Sequence, residues 1–364
     1  MKNSLGLNKS PQETTVCVAM SGGVDSSVTA YLLQKEGYKV FGLTMDLLQP
    51  PYAPAVSSVA DAAVVAAQLE IEHHFINLQT EFAAKVVQYF SAEYINGQTP
   101  SPCIMCNKYV KLGILADHAR RLGADILVTG HYARTLPSPH GVELHRGKDD
   151  IRDQSYFLFA VDKNNLQMLR CPLSEYNKAQ TREIAEKAGL KIAKKSDSQD
   201  ICFVSEGKYA KLIRKLNPDY KELPGDIVTT DGKILGRHKG LINYTVGQRR
   251  GLGIGGGDIL YVLSLDAVRN RVIVGSKPQL AQKEVLITNV NWLAEEHSGV
   301  MELEVKLRSR QKLVPATVFF EDNHTARLEL KDEFFGIAPG QGCCFYQGTR
   351  VMGGGFISKN NSAF

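Results

Sequence analysis

Residues 19–27 read Ala19-Met20-Ser21-Gly22-Gly23-Val24-Asp25-Ser26-Ser27, and this stretch decides the fold. The apolar, partly β-branched run at residues 15–20 (TVCVAM) leads into the glycines and predicts a buried strand. Apolar residues then recur at helical spacing over residues 24–36, and Gly37 ends the predicted helix. A second strand follows at residues 39–45. This order of strand, glycine turn, helix and strand is a βαβ unit and predicts a parallel sheet.

The alternation continues over roughly the first 200 residues and predicts a doubly wound α/β domain. Hairpin signals at residues 225–236 and 259–275 predict a small, mainly β central module. Beyond residue 284 the pattern is almost purely that of strands, which predicts a C-terminal β-barrel. We therefore expect three domains, over residues 1–206, 207–280 and 281–364.

The composition fits a folded chain of several domains. The 364 residues are 43% hydrophobic and 22% charged, which excludes a disordered, collagen-like or coiled-coil protein. The sequence has no apolar run of membrane-spanning length, and its N-terminus is polar, so we expect a cytoplasmic protein without a membrane partner. A formal charge of +5 permits a nucleic-acid partner but does not require one.

The glycine loop is suited to binding phosphate. Small residues let backbone N–H groups approach an anion, and the N-terminus of the following helix favours negative charge. The loop lacks the Lys-Ser/Thr of a Walker A motif and the third glycine of a dinucleotide fingerprint. A tight turn before a capped helix is the alternative for the glycines alone.

Seven cysteines in a chain without a signal peptide do not indicate a disulfide framework. Cys103 and Cys106 fall at the start of a predicted helix that Ser101 would cap, where the helix dipole and Lys108 would favour a thiolate. Half of a zinc site, a redox pair and catalytic thiols are the possible functions. Cys202 lies between Ile201 and Phe203, and a core position is its alternative.

Six motifs occur in order along the chain and resemble those of the tRNA-specific 2-thiouridylases (the MnmA type). The first, SGGVDS, is the pyrophosphate loop of N-type ATP pyrophosphatases. The motifs are SGGVDS at residues 21–26, TPSPCIMCN at 99–107, TGHYAR at 129–134, RDQSY at 152–156, SDSQDICF at 196–203 and GQRRGLG at 247–253.

The resemblance implies that ATP is cleaved to AMP and pyrophosphate, with Asp25 helping to position Mg²⁺. Met45 matches a residue whose backbone contacts the adenine, although core packing is its alternative. Gly130 matches a second nucleotide contact. The implied ATP-binding residues are Ala19, Met20, Ser21, Gly22, Gly23, Val24, Asp25, Ser26, Met45 and Gly130.

The resemblance also implies 2-thiolation of the wobble uridine in tRNAs for Lys, Glu and Gln. AMP transfer turns the uracil C2 oxygen into a good leaving group, and activated sulfur then replaces it. Cys106 matches the family's nucleophile, and Cys202 matches its persulfide-bearing cysteine, with a transient disulfide between them. The base is attacked either by released hydrosulfide or by the bound persulfide. A protein donor or relay supplies the sulfur, and a monomer is expected.

The anticodon stem-loop of tRNA is the implied nucleic-acid partner, with its target base splayed into the pocket. Arg249 and Arg250 have the character of phosphate ligands on a glycine-bounded loop. His131 either faces the nucleotide or is structural, and a solvated strand end is the alternative for the Arg308 segment. The implied tRNA-binding residues are Ser101, Pro102, Cys103, Arg152, Asp153, Gln154, Arg308 and Ser309.

Two positions depart from the family pattern. Many relatives carry Asp where this chain has Cys103, so the acid–base role of that aspartate does not transfer. Residues 47–61 are rich in proline and alanine and predict a changed loop. An N-type pyrophosphatase with another acceptor is the alternative function, and a non-catalytic RNA-binding protein is a third.

Overall fold

The computed structural model describes residues 2–48, 58–196, 201–204, 209–255, 258–297 and 299–359. Within them the glycine loop joins strand β1 (Thr15–Ala19) to helix α1 (Val24–Lys35), as predicted. The three central residues of β1 are fully buried because Cys17 packs into one core and its two valine neighbours pack into another. Helices therefore cover both faces of the strand, as in other parallel sheets.

Five parallel strands form the sheet of the first domain, in the order β3-β2-β1-β4-β7. The order reverses beside β1, and the crevice at such a point is where open α/β sheets bind ligands. The structure thus confirms the predicted doubly wound α/β domain. The other strands of this sheet are β2 (Lys39–Asp46), β3 (Glu72–Asn77), β4 (Ile126–Val128) and β7 (Leu169–Arg170).

Two helical segments of this domain are π-helices: Ala83–Val87 and Cys106–Ile114. The helix predicted from residue 102 to 121 is continuous, but its middle is π rather than α. Such wide turns are rare in proteins, and those that occur are frequently found at functional sites. The α-helices after α1 are α2 (Ser58–Gln68), α3 (Gln79–Phe82), α4 (Gln88–Ile95), α5 (Pro102–Met105), α6 (Leu115–Arg121), α7 (Lys163–Met168) and α8 (Lys178–Lys187).

The central module contains helix α9 (Tyr209–Leu216) and both predicted hairpins. Its four-stranded sheet has the order β10-β11-β8-β9, with β11 and β8 parallel and the other pairs antiparallel. The predicted boundary at residue 206 lies outside the described residues. The strands are β8 (Gly225–Thr229), β9 (Ile234–His238), β10 (Tyr261–Asp266) and β11 (Arg271–Gly275).

Six antiparallel strands close into the predicted C-terminal barrel through the pairing of β12 with β17. One element is unpredicted: the first domain contributes a hairpin, β5 (Ala133–Ser138) and β6 (Gly141–Arg146), whose second strand pairs with β17. The barrel strands are β12 (Ala281–Trp292), β13 (Val300–Lys306), β14 (Val314–Phe320), β15 (Thr325–Phe335), β16 (Gly342–Gln347) and β17 (Arg350–Ile357).

The barrel and the first domain also share one hydrophobic core. Cys344 and Tyr346 of the barrel pack in the same cluster as Leu144, Tyr156 and Phe159 of the first domain. Tyr156 donates a hydrogen bond to the Gly342 carbonyl at 2.9 Å across this contact. In the part of the chain that the structure describes, every helix is too short or too polar to cross a membrane.

Candidate active site

The glycine loop is shaped by one left-handed residue and by its own hydroxyl groups. Gly22 has φ +66°, a conformation that side chains with a Cβ rarely adopt. Ser21 donates its backbone N–H to Ser26 Oγ at 3.1 Å, and Ser27 Oγ donates to the Gly23 carbonyl at 2.8 Å. Because α1 begins directly after Gly23, the loop stands at the positive end of a helix dipole, where an anion is favoured.

Asp25 is held from two directions by residues that the sequence did not single out. Lys178 Nζ lies 2.7 Å and 2.8 Å from the two carboxylate oxygens, and the Tyr132 hydroxyl donates to Oδ1 at 2.8 Å. An ammonium at this carboxylate indicates that the position suits a cation beside the phosphate loop. Tyr132 lies in the TGHYAR motif, which was the available signal.

Lys195 is a second contact to the loop that the sequence did not reveal. Its ammonium donates to the Gly22 carbonyl at 2.9 Å and pairs with Asp61 at 2.5 Å. Arg182 in turn donates to the Lys195 carbonyl at 3.0 Å. The chain that leads toward Cys202 is therefore anchored to the glycine loop. Residues 197–200 of the SDSQDICF motif, like residues 49–57 of the changed loop, lie outside the described residues.

Gly130 and Met45 stand at strand ends on the same edge of the sheet as the glycine loop. A Cβ on Gly130 would lie 2.9 Å from the Ser26 nitrogen and 2.9 Å from the Asp25 carbonyl carbon. The strand end after β4 therefore packs directly on the start of α1. The partly buried Met45 side chain packs against the hydrophobic core. Its backbone remains the predicted adenine contact.

The structure brings Cys103, Cys106 and Cys202 into one electrostatic neighbourhood, since the Cys106 and Cys103 thiols both raise the pKa of Cys202. All three are free thiols, and Cys103 and Cys202 reach solvent. Among the described residues no three His, Cys, Asp or Glu side chains are grouped closely enough to hold a metal ion. The arrangement thus fits thiol chemistry better than a zinc site.

The thiols are protonated at neutral pH, contrary to the expectation of a thiolate. Desolvation by the surrounding protein raises the pKa of Cys106 to about 11 and, although part of its residue reaches solvent, that of Cys202 to about 12. Lys111 opposes this shift at both thiols. The predicted cation, Lys108, lies instead 5.2 Å from the Tyr109 ring and lines a cavity of about 500 Å³ beside the barrel.

His131 is neutral in the folded protein. Burial, and then the charge of Lys111, lower its pKa to about 3. Thr129 Oγ1 lies 2.8 Å from His131 Nδ1, which fixes the imidazole at the end of β4. Because Lys111 acts on His131 and on the thiols, it links the thiol cluster to the strand end that carries Gly130.

The residues implied to bind tRNA are placed differently from one another. Ser101 and Pro102 are buried at the start of α5, and Ser101 occupies the N-cap position without a side-chain capping bond. Cys103 is exposed beside them. Arg249 and Arg250 are exposed on the glycine-bounded loop.

Two further segments carry the other implied tRNA contacts. Arg152 is exposed, but Asp153 is buried in an ion pair with Lys306 at 2.9 Å, and Gln154 accepts a bond from the Tyr132 N–H at 3.0 Å. The exposed Arg308 donates to the Gly336 carbonyl, and the half-buried Ser309 follows it. The carboxylate of Asp153 therefore binds a lysine of the same chain, Lys306.

Fold and site together define an α/β enzyme of the HUP class that is joined to two β domains. Three family profiles match the chain in succession: the tRNA methyl transferase HUP domain over residues 14–206, the tRNA methyl transferase PRC-barrel domain over 215–276, and the Aminomethyltransferase beta-barrel domain over 282–357. The first of these covers more than half of the chain.

Curated relatives match the chain over almost its whole length. A tRNA-specific 2-thiouridylase MnmA of Rhodospirillum centenum is 47% identical over 98% of this chain and 95% of the relative. Those of Paracoccus denitrificans and Orientia tsutsugamushi are 46% and 44% identical over 98% of this chain, and over 94% and 99% of the relatives. The chain belongs to the MnmA family of tRNA-specific 2-thiouridylases, as its motifs predicted.

Proposed function

We propose that this enzyme replaces the C2 oxygen of the wobble uridine in tRNA with sulfur and uses ATP to do so. The observation that carries the proposal is the convergence of Cys106 and Cys202 from distant parts of the chain. Lys111 links this thiol pair to the strand end at Gly130, which packs on the phosphate loop. This connection supports ATP activation and sulfur transfer at neighbouring positions.

ATP is the activating substrate. The glycine loop and the N-terminus of α1 bind its leaving pyrophosphate, and the backbone at Met45 and Gly130 contacts the nucleoside. Asp25 would hold Mg²⁺, and the ammonium that it already binds supports this assignment. Mg²⁺ supplies neutralisation of phosphate charge when bound. Transfer of AMP to the uracil oxygen creates the leaving group.

The two cysteines carry the sulfur. Cys202 holds it as a persulfide that a protein donor or relay has supplied, and Cys106 supplies the second thiol. When sulfur is delivered, a Cys106–Cys202 disulfide remains and needs a reductant before the next cycle. The sulfur reaches the base either as released hydrosulfide or while still bound to Cys202.

The tRNA anticodon stem-loop lies along exposed residues from all three predicted domains. Cys103 stands beside the target base, with Ser101 and Pro102 shaping the strip beneath it. Arg152, Arg249, Arg250, Arg308 and Ser309 contact the backbone, where Lys and Arg provide affinity rather than sequence readout. Gln154 and Asp153 position this strip through Tyr132 and Lys306.

The test is a reconstituted assay with unmodified tRNAs for Lys, Glu and Gln, ATP, Mg²⁺ and a persulfide donor. Nucleosides from the digested tRNA are then analysed by mass spectrometry. We expect 2-thiouridine at the wobble position in the complete reaction and none without ATP. Normal 2-thiouridine in cells that lack the gene, with no product in the assay, would exclude this function and favour another acceptor.

A further inference from the structure

One cation faces the whole thiol cluster. The positive charge of Lys111 lowers the pKa of Cys103, of Cys106 and of Cys202, and it also acts on His131. These groups come from three segments of the chain: the helix after Pro102, the end of β4 and residues 201–204. The charge of Lys111 therefore influences the pKa of every titratable group in this cluster.

The π-helix explains why Lys111 stands on the side of Cys106. In an α-helix a residue five positions on lies roughly 140° around the axis, on nearly the opposite side. Over Cys106–Ile114 the turns are wider, and the N–H of Leu115 donates to the carbonyl of Val110, five residues earlier. With this spacing Lys111 follows Cys106 by one turn, on the same side of the helix.

Lys111 is half-buried, and its side-chain ammonium forms no hydrogen bond or ion pair within the described part of the chain. Withdrawing an ammonium from water without an anion is unfavourable for folding. The charge therefore suits a negative group that arises only during the reaction. Lys108, by contrast, lies over the Tyr109 ring.

We propose that Lys111 is the counter-ion of the Cys106 thiolate and a positioning residue for sulfur transfer, an inference that rests on the proposed function. Cys106 loses its proton to solvent, and the thiolate attacks the Cys202 sulfur of the persulfide. A Cys106–Cys202 bond forms and the persulfide bond breaks, and its electron pair leaves with the outer sulfur as hydrosulfide. The Cys106 sulfur is oxidised and the transferred sulfur is reduced to hydrosulfide, while the Cys202 sulfur keeps its oxidation level because it exchanges one S–S bond for another.

The test measures alkylation of Cys106 by iodoacetamide against pH in the purified full chain, without tRNA or ATP. Cys103→Ser and Cys202→Ser are present throughout, because the Cys103 thiol acts on the pKa of Cys106 and the Cys106 thiol acts on that of Cys202. Lys111→Met is expected to slow alkylation about tenfold at neutral pH and to move the profile upward. Lys111→Arg restores the charge and the profile.

Lys108→Met is the matched control and is expected to keep the starting profile, since it removes a lysine from the same helix. Lys111→Gln is a second neutral variant in case Lys111→Met unfolds, which thermal melting reveals. The same profile with and without the Lys111 charge overturns the proposal, even if thiolation falls. A shifted profile, together with no thiolation of tRNA by the protein that carries its native cysteines, would overturn the proposed function and keep the counter-ion.

Discussion

Lys178 Nζ lies 2.7 Å and 2.8 Å from the two carboxylate oxygens of Asp25. The lysine begins α8 and the aspartate lies in the first turn of α1, so this ion pair joins two helices at the phosphate loop. Both side chains are largely shielded from water, with 13% and 33% of their surface exposed. Removing the charge of either residue would therefore change the electrostatic potential at the phosphate loop.

Asp25→Asn is expected to lower ATP-dependent AMP formation about 100-fold or more, a loss typical when an electrostatic group is removed from an active site. The amide cannot neutralise Lys178 and is a poor ligand for Mg²⁺. Quenched assays of AMP formation with tRNA measure the effect. Asp117→Asn removes a carboxylate from an exposed pair with Arg120 and is the control. An unchanged AMP rate in Asp25→Asn would contradict the assigned role.

Cys106→Ser and Cys202→Ser are each expected to abolish tRNA thiolation while ATP binding survives. A serine hydroxyl neither carries sulfane sulfur nor closes a disulfide. Nucleoside mass spectrometry and calorimetric titration with ATP separate the two effects. Cys343→Ala removes a buried thiol of the barrel core, outside this cluster, and is the control that should keep thiolation within about tenfold. Wild-type thiolation in either of the first two variants would remove the thiols from the mechanism.

Gly130→Ala is expected to destabilise the protein by about 1–3 kcal/mol and to weaken ATP binding. Its new methyl group would stand 2.9 Å from two backbone atoms at the start of α1, and backbone has little room to move. Gly236→Ala is the control, since no atom lies within 4 Å of its added Cβ. Melting curves with and without ATP measure both effects. Equal ATP affinity in the two variants would show that this contact does not shape the loop.

Stability is expected to fall as the pH drops from 6.5 toward 3, in part through His131. The folded-state pKa of about 3 lies below the ordinary value, so the unfolded chain binds the extra proton in this window. The loss is at most about 1.4 kcal/mol per pH unit and is absent above the window. His131→Asn should reduce this slope in urea unfolding at pH 7 and pH 5. If the unfolding free energy of both proteins falls equally between pH 7 and pH 5, His131 does not contribute to this pH dependence.

Lys306→Met is expected to lower stability by about 3 kcal/mol, because it leaves the buried Asp153 carboxylate with only the Arg146 guanidinium, 3.6 Å away, as a cationic partner. The double variant Asp153→Asn/Lys306→Met removes both charges and should recover part of this loss. Thermal melting of the single and double variants provides the comparison. If the double variant is no more stable than Lys306→Met, the loss arises from packing and not from the broken Asp153–Lys306 ion pair.

Local patterns predicted most of the fold. The buried run before Gly22 and the helical spacing after Gly23 gave β1 and α1 within a residue of their observed ends. The hairpin around Asp231 and Gly232 is present between β8 and β9, and the alternation at residues 301–307 is strand β13. These elements are set by short-range periodicity and turn chemistry, which a single sequence contains.

What the sequence did not predict depends on contacts between distant residues. The hairpin at residues 133–146 is a mixed run whose pairing partner, Arg350, lies far along the chain. The sequence indicates Lys108 only through its nearness to Cys106 along the chain, whereas the π-helix brings Lys111 to the side of Cys106. Aspartate is usually a surface residue. Only the fold reveals that Asp153 is buried in an ion pair with Lys306. Raised thiol pKa values likewise follow from burial that spacing does not show.

The hairpin at residues 133–146 has a consequence for how this chain can be divided. Its strand β6 continues the barrel sheet through β17, and the barrel's Tyr346 sits in the same core as Tyr156. A cut at the predicted boundary after residue 280 would separate the two halves of this shared core. Each piece would then expose apolar surface to water, and a sheet edge would lose its pairing strand. Such fragments would be prone to aggregate. Truncation and domain exchange in this enzyme thus have to keep the first and last segments together.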